Sequence, residues 1–301
     1  MAYRLLISVA HPDDESFGFG GLVAYYVDKG VDVYLICSTD GSAGVIDPEM
    51  MNGYKSPAEL RFAELDCATE KLGFTKVYKF DYKDSGMMGS DTIDDPDCLW
   101  HVHKNRPEEV VRKITEVIRE VKPHVVITFN KYGGYGHPDH IAMQRGTKEA
   151  FEKAPDPHYI TDGLSPYRPQ KLYYNRFPTI MIRLGIMMLR LYRKDPRKVG
   201  KNKDIDLVEV VANVEPAHAK INLKGYEDDW ADANSCHISQ GGGAGGGGII
   251  PRWLRRLFGS NYSLTRVYPS PKRDRIDEND IFAGVMVNEA ALDDGEYCYQ
   301  E

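Results

Sequence analysis

A chain of 301 residues can bury a full core as one large domain, and 42% hydrophobic with 28% charged residues is the balance of a soluble globular protein. A formal net charge of −7 argues against a general nucleic-acid binder, which carries a basic surplus. No segment approaches an uninterrupted membrane-spanning length, and Met1-Ala2-Tyr3-Arg4 runs into strand pattern without an apolar signal core, so cytoplasmic residence is the expectation.

Residues 3–9 form a short apolar run that reads as a buried strand. Pro12 has no N–H for a central ladder, so that strand ends near His11, and Ala10-His11-Pro12-Asp13-Asp14-Glu15 leaves its carboxyl end. In an open α/β sheet this is the edge where ligands bind. Residues 20–30 carry Leu22, Val23, Tyr26 and Val27 at helical spacing, with Gly30 suited to the C-terminus. A second strand over 31–37 runs into Thr39-Asp40-Gly41-Ser42-Ala43-Gly44 at the same edge. Pro57–Leu72 is a helix stopping at Gly73, and 76–80 a third strand leading into the loop 81–87. The helix Pro107–Val121 precedes a strong fourth strand at 125–129, after which come Gly136-His137-Pro138-Asp139-His140 and a helix to Phe151, Pro138 fitting its first position.

Strand and helix alternate four times, which predicts an α/β class with a Rossmann-like, mostly parallel sheet flanked by helices. Beyond Ala154 the pattern loosens, and a single domain is expected with a core over 1–175, a helical insertion over 176–215 and a C-terminal extension over 216–301 that completes the site. Residues 171–174 are a candidate fifth strand. Thr179–Leu191, apolar with Arg183 and Arg190 and trailed by a basic tail, reads as an amphipathic helix covering the active-site side or another subunit; loose membrane-surface contact is the weaker reading. Residues 217–224 alternate as a half-buried strand, a helix from Gly225 puts Tyr226, Trp230, Ala233 and His237 on one face, and 281–287 supply a last strand. Seven glycines and one alanine over 241–248 predict a loop rather than a rigid element. His101 and His103 read as loop histidines. Cys37, Cys67, Cys98, Cys236 and Cys298 are odd in number, far apart and without a CxxC pair, which indicates neither a disulfide framework nor a thiolate zinc site.

Two segments supply candidate metal ligands: His11 and Asp14 on the turn after the first strand, and His137 and His140, three apart at a helix start. Two imidazoles and one carboxylate around an open position form the protein shell of a catalytic zinc. Asp13, beside a ligand, is a natural base, and the histidine left over from the second pair an acid or oxyanion stabiliser. The residues alone leave open which of His137 and His140 holds the metal.

His11-Pro12-Asp13-Asp14-Glu15 together with Gly136-His137-Pro138-Asp139-His140 resembles the LmbE/PIG-L family of zinc-dependent N-deacetylases. That family includes deacetylases of N-acetylglucosaminyl-phosphatidylinositol and of mycothiol and bacillithiol precursors, and amidases of mycothiol conjugates. The resemblance implies His11, Asp14 and His140 as metal ligands, Asp13 as general base, and His137 as the residue that assists as acid and stabilises the tetrahedral intermediate. A cationic histidine at a helix N-terminus opposes the helix dipole, which leaves Asp139 or the bound intermediate to offset it. Arg61 and Asp84 resemble the family's sugar-contacting positions, and His237-Ile238-Ser239-Gln240 its late His-x-Ser-Gln element near the site. The resemblance thus implies a hydrolase removing an N-acyl group, most simply acetyl, from an amino sugar or glycoconjugate, with zinc or iron(II) as cofactor. No nucleic acid and no membrane span enter this reading, and a homo-oligomer stays open. Its rivals are an amidase of a larger thiol conjugate and a non-catalytic sugar-binding module.

Overall fold

The computed structural model describes residues 2–51, 53–200, 203–242 and 261–287. Most of the glycine run, 243–248, and Cys298 lie outside them. In chain order the elements are β1 (Arg4–Val9), α1 (Asp14–Phe17), α2 (Gly20–Asp28), β2 (Asp32–Thr39), α3 (Pro57–Leu72), β3 (Lys76–Tyr82), α4 (Leu99–Asn105), α5 (Pro107–Val121), β4 (Val125–Thr128), α6 (Gly133–Gly136), α7 (Pro138–Lys153), β5 (Lys171–Asn175), α8 (Thr179–Leu191), α9 (Leu207–Ala212), β6 (Ala219–Asn222), α10 (Glu227–Asn234) and β7 (Asn261–Tyr268).

Seven strands form one sheet in the order β3-β2-β1-β4-β5-β7-β6. The first five are parallel, and β7 runs antiparallel to both β5 and β6. The α/β reading therefore holds. β1 is central, with Leu6 facing Tyr34 on one side and Val126 on the other. Helices cover both faces of a parallel sheet, so its inner strands are apolar throughout rather than alternating; Leu5, Leu6, Ile7, Val125, Val126 and Ile127 are all fully buried.

Local chemistry explains the bounds that were legible. Ser56 accepts from the Glu59 N–H at 3.2 Å, Pro57 opens α3, and Gly73 closes it at φ +76.

Several expectations need correction. Residues 281–287 form turns, not a strand: Ile281, Phe282 and Val285 are buried, but Phe282 packs on the Tyr3 ring at 4.7 Å and no ladder forms. The last described strand is β7 instead. His101 and His103 lie within α4 rather than in a loop. α10 ends at Asn234, so His237 lies beyond it. The helix expected over Thr179–Leu191 is present with those bounds as α8, and Ile186 is the one residue of it that is buried. Cys67 and Cys236 form a disulfide across a sequence separation of 169, which spacing along the chain could not reveal because tertiary packing alone brings α3 beside the end of α10. Among the described residues no helix is long and apolar enough to cross a membrane.

Candidate metal centre

The sheet reverses its winding between β1 and β4: from β1 the chain winds outward through β2 and β3, and from β4 outward through β5. At such a point the loops leaving two neighbouring strands diverge and open a crevice at their carboxyl ends. His11 leaves β1 and His137 to His140 come after β4, so the two segments face each other across it.

The donor set is built atom by atom. His140 Nδ1 lies 3.2 Å from the Gly133 carbonyl, which can only accept; Nδ1 therefore carries the proton and Nε2 points its lone pair inward. Phe129 stacks on that ring at 3.9 Å and holds its plane. His11 Nε2 lies 3.2 Å from Asp139, whose carboxylate also accepts from the Ser85 N–H at 2.9 Å and from its hydroxyl. His11 Nδ1 thus turns its lone pair inward as well, 3.0 Å from His140 Nε2. Asp14 completes the set: Oδ2 lies 3.5 Å from His11 Nδ1, and Oδ1 lies 3.3 Å from His140 Nε2. The His11 N–H at 2.7 Å and the Ala10 N–H at 3.3 Å anchor its carboxylate.

Three acceptor atoms aimed at one point are held together by a shared proton or by a cation. Donors about 3.4 Å apart are what a tetrahedral ion with bonds of roughly 2.0–2.2 Å requires, so the residues present fit zinc. Burial alone would strip the proton from His11, but the carboxylates of Asp84, Asp139 and Asp14 outweigh it and raise its pKa well above the usual value. Burial would raise Asp14, yet His140 and His11 hold it well below the carboxylate range. The field at the centre favours positive charge.

His11, His137 and His140 offer ligand atoms within 4.8 Å of one another, and so do His11, Asp84, His137 and Asp139. The second grouping has spent its donors. Asp139 is engaged by Ser85 and His11, Asp84 accepts from the Gly86 N–H at 2.9 Å, and His137 Nδ1 accepts from the Asp139 N–H at 3.2 Å. That last bond caps α7 and leaves any proton of a neutral His137 on Nε2. Burial, then the nearby His11 and His140, push the His137 pKa well below its usual value, so the ring is neutral and the objection from the helix dipole falls away.

Asp13 adjoins this group in a strained conformation, φ +135 and ψ −26, outside the regions most side chains occupy. Its N–H donates to Glu15 Oε2 at 2.9 Å, and its carbonyl accepts from Phe17 at 2.8 Å. Burial pushes its carboxyl up to about 6, against the pull of the Arg61 guanidinium 3.0 Å away.

The three residues expected at the substrate are all buried. Arg61, 2% exposed, donates to Asp13, to the Pro12 carbonyl and, at 3.1 Å, to the Gly41 carbonyl. A Cβ on Gly44 would come within 2.5 Å of that guanidinium, which is why the loop after β2 needs glycine there. Asp84 lies 3.4 Å from His11 Nε2; burial would raise its pKa, but His11 holds it well below the usual range. His237 is fully enclosed and meets Glu15 Oε1 at 2.7 Å rather than open surface. Burial lowers its pKa, but Glu15 more than restores it and leaves it raised.

Glu15, Glu64 and Ser85 fall in segments that resemble the family's, but sequence reasoning assigned them no role: Glu15 joins the Asp13 backbone to His237, and Glu64 accepts from the Ser239 N–H at 2.8 Å and its hydroxyl at 2.7 Å. The contact of Ser85 with Asp139, and the second task of Asp139, were likewise not foreseen. A carboxylate just after a metal-binding turn was the only available signal for Glu15.

Known proteins bear on this geometry. The PIG-L family, described as GlcNAc-PI de-N-acetylase, matches residues 6–151. A 1D-myo-inositol 2-acetamido-2-deoxy-alpha-D-glucopyranoside deacetylase of Streptomyces griseus subsp. griseus is 32% identical over 297 residues, which cover 94% of this chain and 89% of that one. The enzyme of the same name from Thermomonospora curvata is 38% identical over 197 residues, 62% of this chain, and the match spans 64% of that relative's length. The structure of a conserved protein from Thermus thermophilus superimposes with a TM-score of 0.55 at 20% identity, covering 90% of this chain and 96% of that one, a likeness of fold alone.

Proposed function

This chain belongs to the PIG-L family, and from that membership we propose that it removes the N-acetyl group from an N-acetylglucosaminyl-inositol conjugate, the kind of substrate its relatives' names describe. The observation that carries the reading is the convergence of the His11, Asp14 and His140 lone pairs beside the Asp13 carboxylate. His11, Asp14 and His140 would hold the metal, zinc by the fit of the donor set. Held there, zinc would supply a water of pKa lowered from 15.7 to about 7 and a Lewis acid for the amide carbonyl.

The chain's own residues do the rest. Asp13 accepts the proton of the attacking water and, with a carboxyl near 6, can return it to the departing amine. His137 offers its Nε2–H to the oxyanion that develops as the amide carbon turns tetrahedral. Asp139 fixes the ring of His11, and Arg61 fixes the carboxylate of Asp13. Acetate and the free amino sugar leave. A cytoplasmic setting belongs to the same reading, and the state of Cys67 and Cys236 in fresh lysate tests it, since cytosolic thiol pools keep such pairs reduced.

Metal analysis of the full chain, joined to amine release from N-acetylglucosaminyl-inositol, tests the proposal. Asp13→Ala should lose turnover by at least about 100-fold and keep its metal, whereas His140→Ala should lose both. Full metal content in His140→Ala would overturn the ligand set. Iron in place of zinc would correct the ion, and release from bulky thiol conjugates but not from the sugar would correct the substrate.

A further inference from the structure

α8 is apolar nearly all round, the pattern of a helix meant to be covered on every side. Yet only Ile186 is buried, while Ile180, Leu184, Met187 and Leu191, spaced i, i+4, i+7 and i+11, form one outward stripe, Ile180 80% and Leu191 73% exposed. Exposed apolar stripes of this kind on a folded chain mark an interaction surface.

Charge identifies the occupant. From Thr179 to Lys203 eight basic residues stand against one acid, Asp195, so this stretch carries +7 in a chain of formal charge −7. Among the described residues only Arg197 of that group is paired with carboxylates, those of Asp206 and Glu209. A two-fold contact between copies would set the same +7 against itself, which disfavours a second copy of the chain. An apolar stripe beside a basic flank and tail is the arrangement that lies in the plane of an anionic lipid surface.

The position of α8 gives the contact a purpose. Two residues before it, the Phe177 ring packs against Gly134 of α6, a few residues ahead of His140. α8 rests on α9, and α9 on α6 beside the site. α8 is therefore joined to the rim of the site through Phe177 and through α9.

We infer that α8 and its basic tail form a peripheral docking surface for membranes rich in anionic lipid, holding the site mouth near the bilayer. The inference does not depend on the proposed reaction, because binding is read without turnover. The test is sedimentation of the full chain with vesicles of phosphatidylglycerol and phosphatidylcholine, and with phosphatidylcholine alone.

The chain should partition onto the anionic vesicles, and the binding should vanish in about 1 M salt, where the Debye length is about 3 Å. Neutralising Arg190→Gln with Arg193→Gln should weaken partition about fivefold per charge, roughly 25-fold together. Leu184→Ser with Leu191→Ser should weaken it by at least about tenfold. Both pairs lie on the surface, so circular dichroism and thermal midpoint should stay those of the parent. A chain that ignores anionic vesicles overturns the inference. So does a solution dimer that the paired leucine substitutions dissociate, or capture by polyglutamate without capture by vesicles.

Discussion

His11 uses its two ring nitrogens in opposite directions, one on Asp139 and one toward His140, and the centre depends on that division. Sequence could single out His11, Asp13, Asp14, His137 and His140 as candidates, because their residue types and spacings suit the chemistry, and the structure gathers them. It could not tell which nitrogen carries each proton, since that is decided by partners such as Gly133 and Ser85, remote from any motif. In the proposed reaction Asp13 also sets the response to pH. It must be ionised to accept a proton, and burial holds its carboxyl at about 6, so kcat/KM should fall as pH drops through that value. The Arg61 charge pulls that pKa down; Arg61→Gln should move the acid limb to higher pH, read from the pH profile. An unmoved limb would separate the limb from Asp13.

Among the elements, helices and strands with sharp chemical ends were the legible ones. α3 and α5 run as expected because Ser56, Pro57, Gly73 and Pro107 punctuate them. β7 and the turns at 281–287 were not, because an apolar run tells of burial but not of whether its N–H groups find a ladder. The segment 237–240 is the element with most hidden consequence. His237 partners Glu15, and Ser239 partners Glu64, so α1 and α3 are both tied to it. His237→Leu should destabilise the fold by about 3–5 kcal/mol, because it leaves the Glu15 carboxylate buried without its histidine partner. Adding Glu15→Leu should recover much of that stability in denaturant melts, an interaction energy opposite in sign to the first loss. Turnover should not recover, since the Asp13 N–H then loses its acceptor and the strained turn its anchor. Parallel recovery of both would sever Glu15 from the positioning of Asp13.

For the whole molecule, alternation of strand and helix made the parallel sheet legible, while the order β3-β2-β1-β4-β5-β7-β6 was not, because strand neighbours are chosen by packing between segments far apart. The same holds for Cys67 and Cys236, which pair across 169 residues. Cys67→Ser should lower stability by about 2–4 kcal/mol in urea, with the loss absent when parent and variant are compared under reductant. The uneven charge is likewise a property of the whole, +7 between Thr179 and Lys203 inside a chain of −7.

The winding reversal between β1 and β4 also dictates when the centre can exist. Its two arms are 129 residues apart in the chain, though neighbours in the sheet. A growing polypeptide at the ribosome therefore exposes His11 and Asp14 long before their counterpart has been synthesised. Capture of a metal by the proposed set would have to wait for β4 to dock on β1, a slow step because closing so long a loop precedes any reward from contacts. Premature loading would thereby be avoided, and an ion held there would act as a late clasp on a nearly finished architecture.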